Sequence, residues 1–105
     1  TSSQFINLSD YRIKQNVIPL TEMNFSIDKL NPVYYTNKLL NKPDIGFIAH
    51  EVQQEIPFLV DGIKDGPEYQ SVNYIGLVGL LVSEIKQLKA DMLEQKYRIQ
   101  QLEQK

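Results

Sequence analysis

Residues 74–105 read YIGLVGLLVSEIKQLKADMLEQKYRIQQLEQK, and this stretch decides the fold. It contains no proline, and its apolar positions are separated alternately by three and four residues. Val78, Leu81, Ile85, Leu88, Met92, Gln95, Ile99 and Leu102 fall in that register, with Gln95 the one polar member. A seven-residue apolar repeat held over four heptads is the seam of a coiled coil, since it keeps one narrow stripe of a helix facing a partner.

The flanking charges set the orientation. With Val78 at heptad position a, the g positions hold Glu84, Asp91 and Arg98, and the e positions one heptad on hold Lys89, Lys96 and Glu103. In a parallel, in-register assembly each g–e′ contact joins opposite charges. Antiparallel pairings centred on the same stretch set Lys96 against Lys96 or Asp91 against Asp91, according to the alignment. The pattern selects the parallel arrangement. Each exposed pair contributes only about 0.2–1 kcal/mol, so it governs orientation more than stability. The alternative is a helix lying along its own domain, but a stripe this long outruns a 105-residue chain's capacity to cover it. Strand number is less marked. Ile at a with Leu at d leans towards two strands, while Met92 and Gln95 blur that preference.

Upstream, the reading changes from one long element to several short ones. Phe5, Ile6 and Leu8 suggest an extended lead-in, and Pro19 stops any helix running through Val17 and Ile18. Thr21 is a candidate N-cap for a short helix carrying Met23, Ile27 and Leu30. Val33–Thr36 has strand composition, Asn37–Asp44 reads as a turn, and Ile45–Ile48 as a returning strand. Ala49–Ile56 is a short helix ended by Pro57. Phe58–Val60 is apolar, Asp61–Glu68 is a loop, and Tyr69–Val72 a last short strand. Gly46 and Gly62 look like backbone requirements, a close approach and a turn. Gly76 and Gly79 each cost the long helix about 1 kcal/mol against alanine, which points to close packing of helices or strands, or to an end that loosens readily after release. Tyr34, Tyr35, Phe47, Phe58, Tyr69 and Tyr74 read as core and interface aromatics. The fold class is α+β, with a head at residues 10–73 and a helix at 74–105, preceded by residues 1–9.

Composition excludes several functions. At 42% apolar and 23% charged, the chain has enough apolar residues to fold. A net charge of −2 gives no electrostatic attraction to nucleic acid. The absence of cysteine removes thiolate catalysis, disulfides and cysteine-ligated zinc. With one histidine, no metal cluster is expected, and no glycine-rich phosphate loop is present, so no cofactor is expected. No apolar run is long enough for a membrane span. The chain begins without Met and is expected to be a fragment of something longer.

Four blocks carry a resemblance: Ser9-Asp10-Tyr11-Arg12-Ile13-Lys14-Gln15-Asn16-Val17; Ile45-Gly46-Phe47-Ile48-Ala49-His50-Glu51-Val52; Ile56-Pro57-Phe58-Leu59-Val60; and Ser71-Val72-Asn73-Tyr74. With the terminal heptad helix, their order resembles the intramolecular chaperone domain, a self-cleaving serine–lysine peptidase, at the C-termini of phage endosialidases, tailspikes and neck appendages. The same domain occurs in the myelin regulatory transcription factor. The resemblance implies a homotrimer that guides folding of the fibre upstream of it in the same polypeptide. It then cuts itself away at Ser9–Asp10, in the host cytoplasm during virion assembly. A trimerisation domain that stays attached is the alternative.

The resemblance also assigns Ser9 as nucleophile and Lys14 as its base. A serine hydroxyl needs a base, and a lysine serves once burial or a neighbouring cation such as Arg12 favours its neutral form. Five residues apart, the two side chains can meet in an irregular loop. Asp10, as the residue after the cut, positions the bond; by composition alone it is a turn or cap residue. His50 falls where some members carry glutamine, so it assists by hydrogen bonding or is simply a packed histidine. Glu51 is a partner for Lys14, Arg12 or His50. Attack by Ser9 on the Leu8 carbonyl closes a five-membered ring, whereas attack on its own carbonyl would close a four-membered one. A cut at Ser9–Asp10 therefore asks for a serine from a neighbouring copy or for other groups.

Overall fold

Apolar residues in the middle of the chain fold against the first turns of the long helix, and the rest of that helix runs free. The computed structural model describes residues 7–104; Phe5 and Ile6 of the expected lead-in lie outside them. In chain order the elements are a 3₁₀ turn η1 (Tyr11–Ile13), a second η2 (Leu20–Glu22), strands β1 (Val33–Asn37) and β2 (Lys42–Gly46), and helix α1 (Ala49–Glu55). A third 3₁₀ turn η3 (Pro57–Leu59), strands β3 (Val60–Asp61) and β4 (Ser71–Val72), and helix α2 (Tyr74–Glu103) complete the chain. This is the α+β arrangement of short elements followed by one long helix.

The hairpin β1–β2 is antiparallel, with Val33 opposite Gly46 and Asn37 opposite Lys42. Its turn is tighter than the sequence suggests. Asn37 Oδ1 accepts from the backbone N–H groups of Leu39 (3.0 Å) and Leu40 (3.1 Å), and Asn41 takes a left-handed φ of 51°. These asparagines close the chain early, so the return strand starts at Lys42 rather than Ile45. It ends at Gly46, which leaves Phe47 and Ile48 in the link to α1. Pro43 is tolerated because each strand of a two-stranded ladder has a free edge.

The short helix expected from Thr21 is not formed. Only η2 is helical, Pro19 occupies its N-cap position, and no side chain caps it. The reason lies in the polar residues between the apolar ones. Ser26 Oγ accepts from Asp28 N (3.1 Å), and Glu84 of α2 accepts from Ile27 N (3.3 Å). Backbone groups captured this way are lost to a helical ladder. Phe25, Ile27 and Leu30 instead lie on the core as a strap.

The core is small. Ile56, Leu59, Leu77 and Leu80 are buried together, with Leu20, Phe25, Ile27, Leu30, Phe47 and Val72 packed around them. Val52 and Val60 are buried as well. Asn73 joins the head to α2: its N–H donates to Leu59 O (2.7 Å), and its Oδ1 caps the helix by accepting from Gly76 N (3.0 Å). Gly46 and Gly76 permit two close approaches. A Cβ on Gly46 would lie 2.6 Å from Tyr74 Oη, and one on Gly76 2.5 Å from Leu59 Cδ2. Gly62 has φ 93° and its carbonyl accepts from Gln53 and Gln70, which sets the β3–β4 connection. Gly79 meets nothing within 4 Å. Of the six expected core and interface aromatics, Tyr34, Phe58, Tyr69 and Tyr74 are exposed on the single chain, although Phe58 meets Phe25 edge-to-face at 5.3 Å.

The molecule measures 65 × 38 × 28 Å with a radius of gyration of 18.9 Å. A compact chain of this length has about 13 Å. The excess is the free part of α2, whose 30 residues extend roughly 45 Å. Among the described residues no helix is long and apolar enough to cross a membrane.

Candidate active site and assembly face

Ser9 and Lys14 meet because η1 folds the chain between them. Asp10 caps that turn: its Oδ1 accepts from Arg12 N at 2.8 Å, and the turn closes through Ile13 N to Asp10 O and Lys14 N to Tyr11 O, both 3.1 Å. One 3₁₀ turn between residues five apart points their side chains at each other, and Lys14 Nζ donates to Ser9 Oγ at 2.5 Å. The arrangement is local. It uses no group from the rest of the head.

Asp10 and Arg12 form the second part of the turn. Arg12 Nε donates to Asp10 Oδ1 (2.9 Å) and Arg12 Nη2 to Oδ2 (3.1 Å), a fork-to-carboxylate geometry. The Arg12 side chain, and then its backbone N–H, hold the Asp10 carboxyl below the ordinary carboxylate range, against a small opposing effect of burial. Asp10 in turn raises the guanidinium further. Arg12 is thus committed to Asp10. The Asp-x-Arg spacing was the available signal, since a capping aspartate reaches two residues on in such a turn.

His50 and Glu51 are elsewhere in the interaction network. Both sit half-buried in the first turn of α1. Among the described residues no hydrogen bond joins His50 to Ser9 or Lys14, and the ion pairs are Arg12–Asp10 and Arg98–Glu94, neither of which includes Glu51. The dyad is open to solvent, with Ser9, Asp10, Arg12 and Lys14 all exposed. So are the apolar residues around it. Leu8, Tyr11, Ile13, Val17 and Ile18 are between 56% and 83% exposed, an unusual density of uncovered apolar side chains for a chain segment in water.

The heptad stripe has the same character. Val78, Leu81, Ile85, Leu88, Met92, Ile99 and Leu102 are exposed, as is Gln95. Head contacts fall on the flank of α2 beside this stripe, at the g positions Leu77 and Glu84 and at Leu80, which leaves the a and d residues from Val78 onward exposed. Within the single chain, Arg98 pairs with Glu94 (2.6 Å) and Gln87 donates to Asp91 (3.1 Å). These i,i+4 contacts are weak in water. Sequence reasoning missed Glu84's contact with the strap, because the g position already accounts for a charge there.

Comparison with known proteins bears on this arrangement. Residues 9–61, which begin at Ser9 and include both strands of the hairpin and all of α1, match the family model described as chaperone of endosialidase. The chain is also 32% identical over 87 residues to the long tail fiber protein Gp37 of Escherichia phage AR1, covering 75% of this chain. It spans only 8% of that relative's length. No solved structure matches the chain. The match begins where the turn geometry begins, and the chain belongs to the chaperone of endosialidase family.

Proposed function

We propose that this chain is the C-terminal intramolecular chaperone of a phage tail fibre or tailspike, which assembles as a parallel homotrimer and then releases itself by cutting at Ser9–Asp10. The observation that supports the reading most is the Lys14 Nζ to Ser9 Oγ hydrogen bond, because a serine–lysine dyad needs its amine and hydroxyl within reach of each other. The tail fibre relative and the family match supply the context.

In this mechanism Lys14 takes the Ser9 hydroxyl proton as the oxygen attacks a peptide carbonyl. A serine cannot readily reach its own carbonyl through a four-membered ring, so the attacked Ser9–Asp10 bond belongs to a neighbouring copy. The attacking oxygen bonds to that copy's Ser9 carbonyl carbon and the C–N bond breaks. The proton on Lys14 passes to the departing Asp10 nitrogen, and water hydrolyses the ester. Lys14 serves as base only in its neutral form, and its side chain is exposed in the single chain. Copies packed over the exposed Leu8–Ile18 segment would desolvate the amine and favour the neutral base. Cleavage would thereby wait for assembly. Asp10, held by Arg12, fixes the turn; His50 serves as a packed residue of α1 or joins the site from a neighbouring copy. The reaction takes place in the host cytoplasm during virion assembly, the substrate is the upstream fibre junction of the same polypeptide, and release of the folding guide leaves the fibre kinetically locked.

The test is intact mass after expression with the natural upstream segment, wild type beside Ser9→Ala. Wild type should split with a new N-terminus at Asp10, and Ser9→Ala should stay whole. A new N-terminus at Ser9 would indicate attack on the Leu8 carbonyl in cis. Two whole proteins that sediment as trimers would leave a trimerisation domain that never cuts.

A further inference from the structure

We propose that Val82 of a second copy closes an apolar cavity in the head, so that each head is completed by its neighbour's helix. The inference rests on the parallel assembly above. The cavity, about 130 Å³, is lined by Ile27, Leu30, Pro32, Phe47, Leu77 and Leu81, and it opens beside α2 at heptad positions g (Leu77) and d (Leu81). The charged rungs further down fix the offset between copies. Glu84 meets Lys89′, Asp91 meets Lys96′ and Arg98 meets Glu103′, each five residues on. The same offset applied to Leu77 lands on residue 82.

That residue is a valine, and it is 51% exposed. Its own chain reaches it only at the edge, where Pro19, Leu20 and Thr21 border one flank. The other three complete rungs carry a charge on both sides, whereas the Leu77–Val82′ rung is apolar on both. It is also the rung adjacent to the head cavity. An apolar residue at an e position, exposed on the single chain and set by charge register against an apolar opening, identifies the occupant as a second copy. Ile27 and Leu30 lie on the strap that follows the Ser9–Lys14 turn, so a valine seated there ties assembly to the segment leading from the dyad.

The experiment uses the full chain, whose lack of cysteine makes introduced thiols unambiguous. Pro32→Cys, at the exposed rim of the cavity, is co-expressed with Val82→Cys on a separately tagged copy, and the mixture is oxidised. Disulfide formation requires Cα atoms about 4.4–6.8 Å apart. Ile85→Cys alone reports on the a-position seam, where identical residues of parallel copies face each other. The expected result is a mixed-tag cross-link from the pair, a cross-link from Ile85→Cys, and at least tenfold weaker assembly for Val82→Asp. A cross-link at Ile85→Cys with none from the pair, or wild-type assembly by Val82→Asp, overturns the inference and leaves the coiled coil standing. No cross-link at either place overturns both.

Discussion

Leu77 and Leu80 are 4% and 5% exposed, whereas Ile85 and Leu102 on the same helix are 55% and 67% exposed. All four are large aliphatic residues on one continuous α-helix, so helix propensity does not distinguish them. The difference lies in what the rest of the chain can reach. The head is built from short pieces, with strands of two to five residues and a helix of seven. It covers little more than the first three turns of α2. Apolar burial favours folding by about 25 cal/mol per Å² wherever it takes place. The first turns achieve it within the chain, and the later turns leave their apolar residues exposed. In the proposed assembly one helix would thus stabilise the head with its first turns and join the copies with its later ones.

The sharpest way to break this comparison is to charge the free part alone. Ile85→Asp with Ile99→Asp should abolish assembly, because both substitutions put carboxylates in the a layer. The head should still fold, since neither residue touches its core. Sedimentation reads the first and near-ultraviolet circular dichroism the second. A loss of head structure on disrupting these two distant residues would show that the head has no stability of its own.

The converse substitution sits in the covered part. Leu80→Ala leaves the heptad stripe intact but opens a cavity among Ile56, Leu59 and Leu77, at a cost of about 2–5 kcal/mol. For a core this small that is a large fraction of the total. Thermal unfolding of Leu80→Ala should show a strongly lowered head transition, while a peptide of residues 81–105 should associate as before.

The two halves also differ in how legible they were in the sequence. α2 was evident almost to the residue, because its signal is a long period reinforced by charge, and nothing local competes with it. Gly46 and Gly62 were read correctly as a close approach and a turn, since few other residues serve there. The strap and the hairpin were misjudged for a common reason. Asn37, Ser26 and Asn41 direct the backbone through side-chain hydrogen bonds or a left-handed conformation. Such local captures override apolar spacing in short segments. Phe58 and Tyr69, read as core or interface aromatics, are exposed on the single chain, because composition marks an aromatic as contact-forming but not which copy covers it. At the candidate site, the meeting of Ser9 and Lys14 followed from the resemblance, while the commitment of Arg12 to Asp10 depended on turn geometry.

A smaller effect separates the two helical glycines. Gly76→Ala should destabilise the head, because the added methyl meets Leu59 Cδ2 at 2.5 Å and overpacking costs about 1–3 kcal/mol, more than the roughly 1 kcal/mol gained in helix propensity. Gly79→Ala has open space and should stabilise α2 by about that 1 kcal/mol. Opposite shifts of the thermal midpoint are expected from one chemical change three residues apart. If Gly79→Ala instead weakens assembly, open space in the single chain is occupied space in the oligomer, and the covered part of α2 extends further round the helix in trans.

The smallest expected effect lies at the dyad turn, the other region left uncovered by its own chain. The Asp10 carboxyl is held below its ordinary value of 3.8, mainly by the Arg12 side chain. A carboxylate lowered in this way contributes fully above its unfolded value, and the contribution is lost as pH falls through the lowered one. The turn should therefore stay unchanged from neutral pH down to about 5. Any change in cleavage rate across that window belongs to another group. Asp10→Asn should keep the cap, since asparagine also accepts from the N–H two residues on, and should slow cleavage only a few-fold. Asp10→Ala removes both cap and ion pair and should slow it more. Rates for the two variants, measured on the same upstream fusion from pH 5 to 8, separate positioning from charge: equal slowing makes the ion pair with Arg12 the element that holds Ser9 and Lys14 together, and a milder effect in Asp10→Asn assigns that role to the cap.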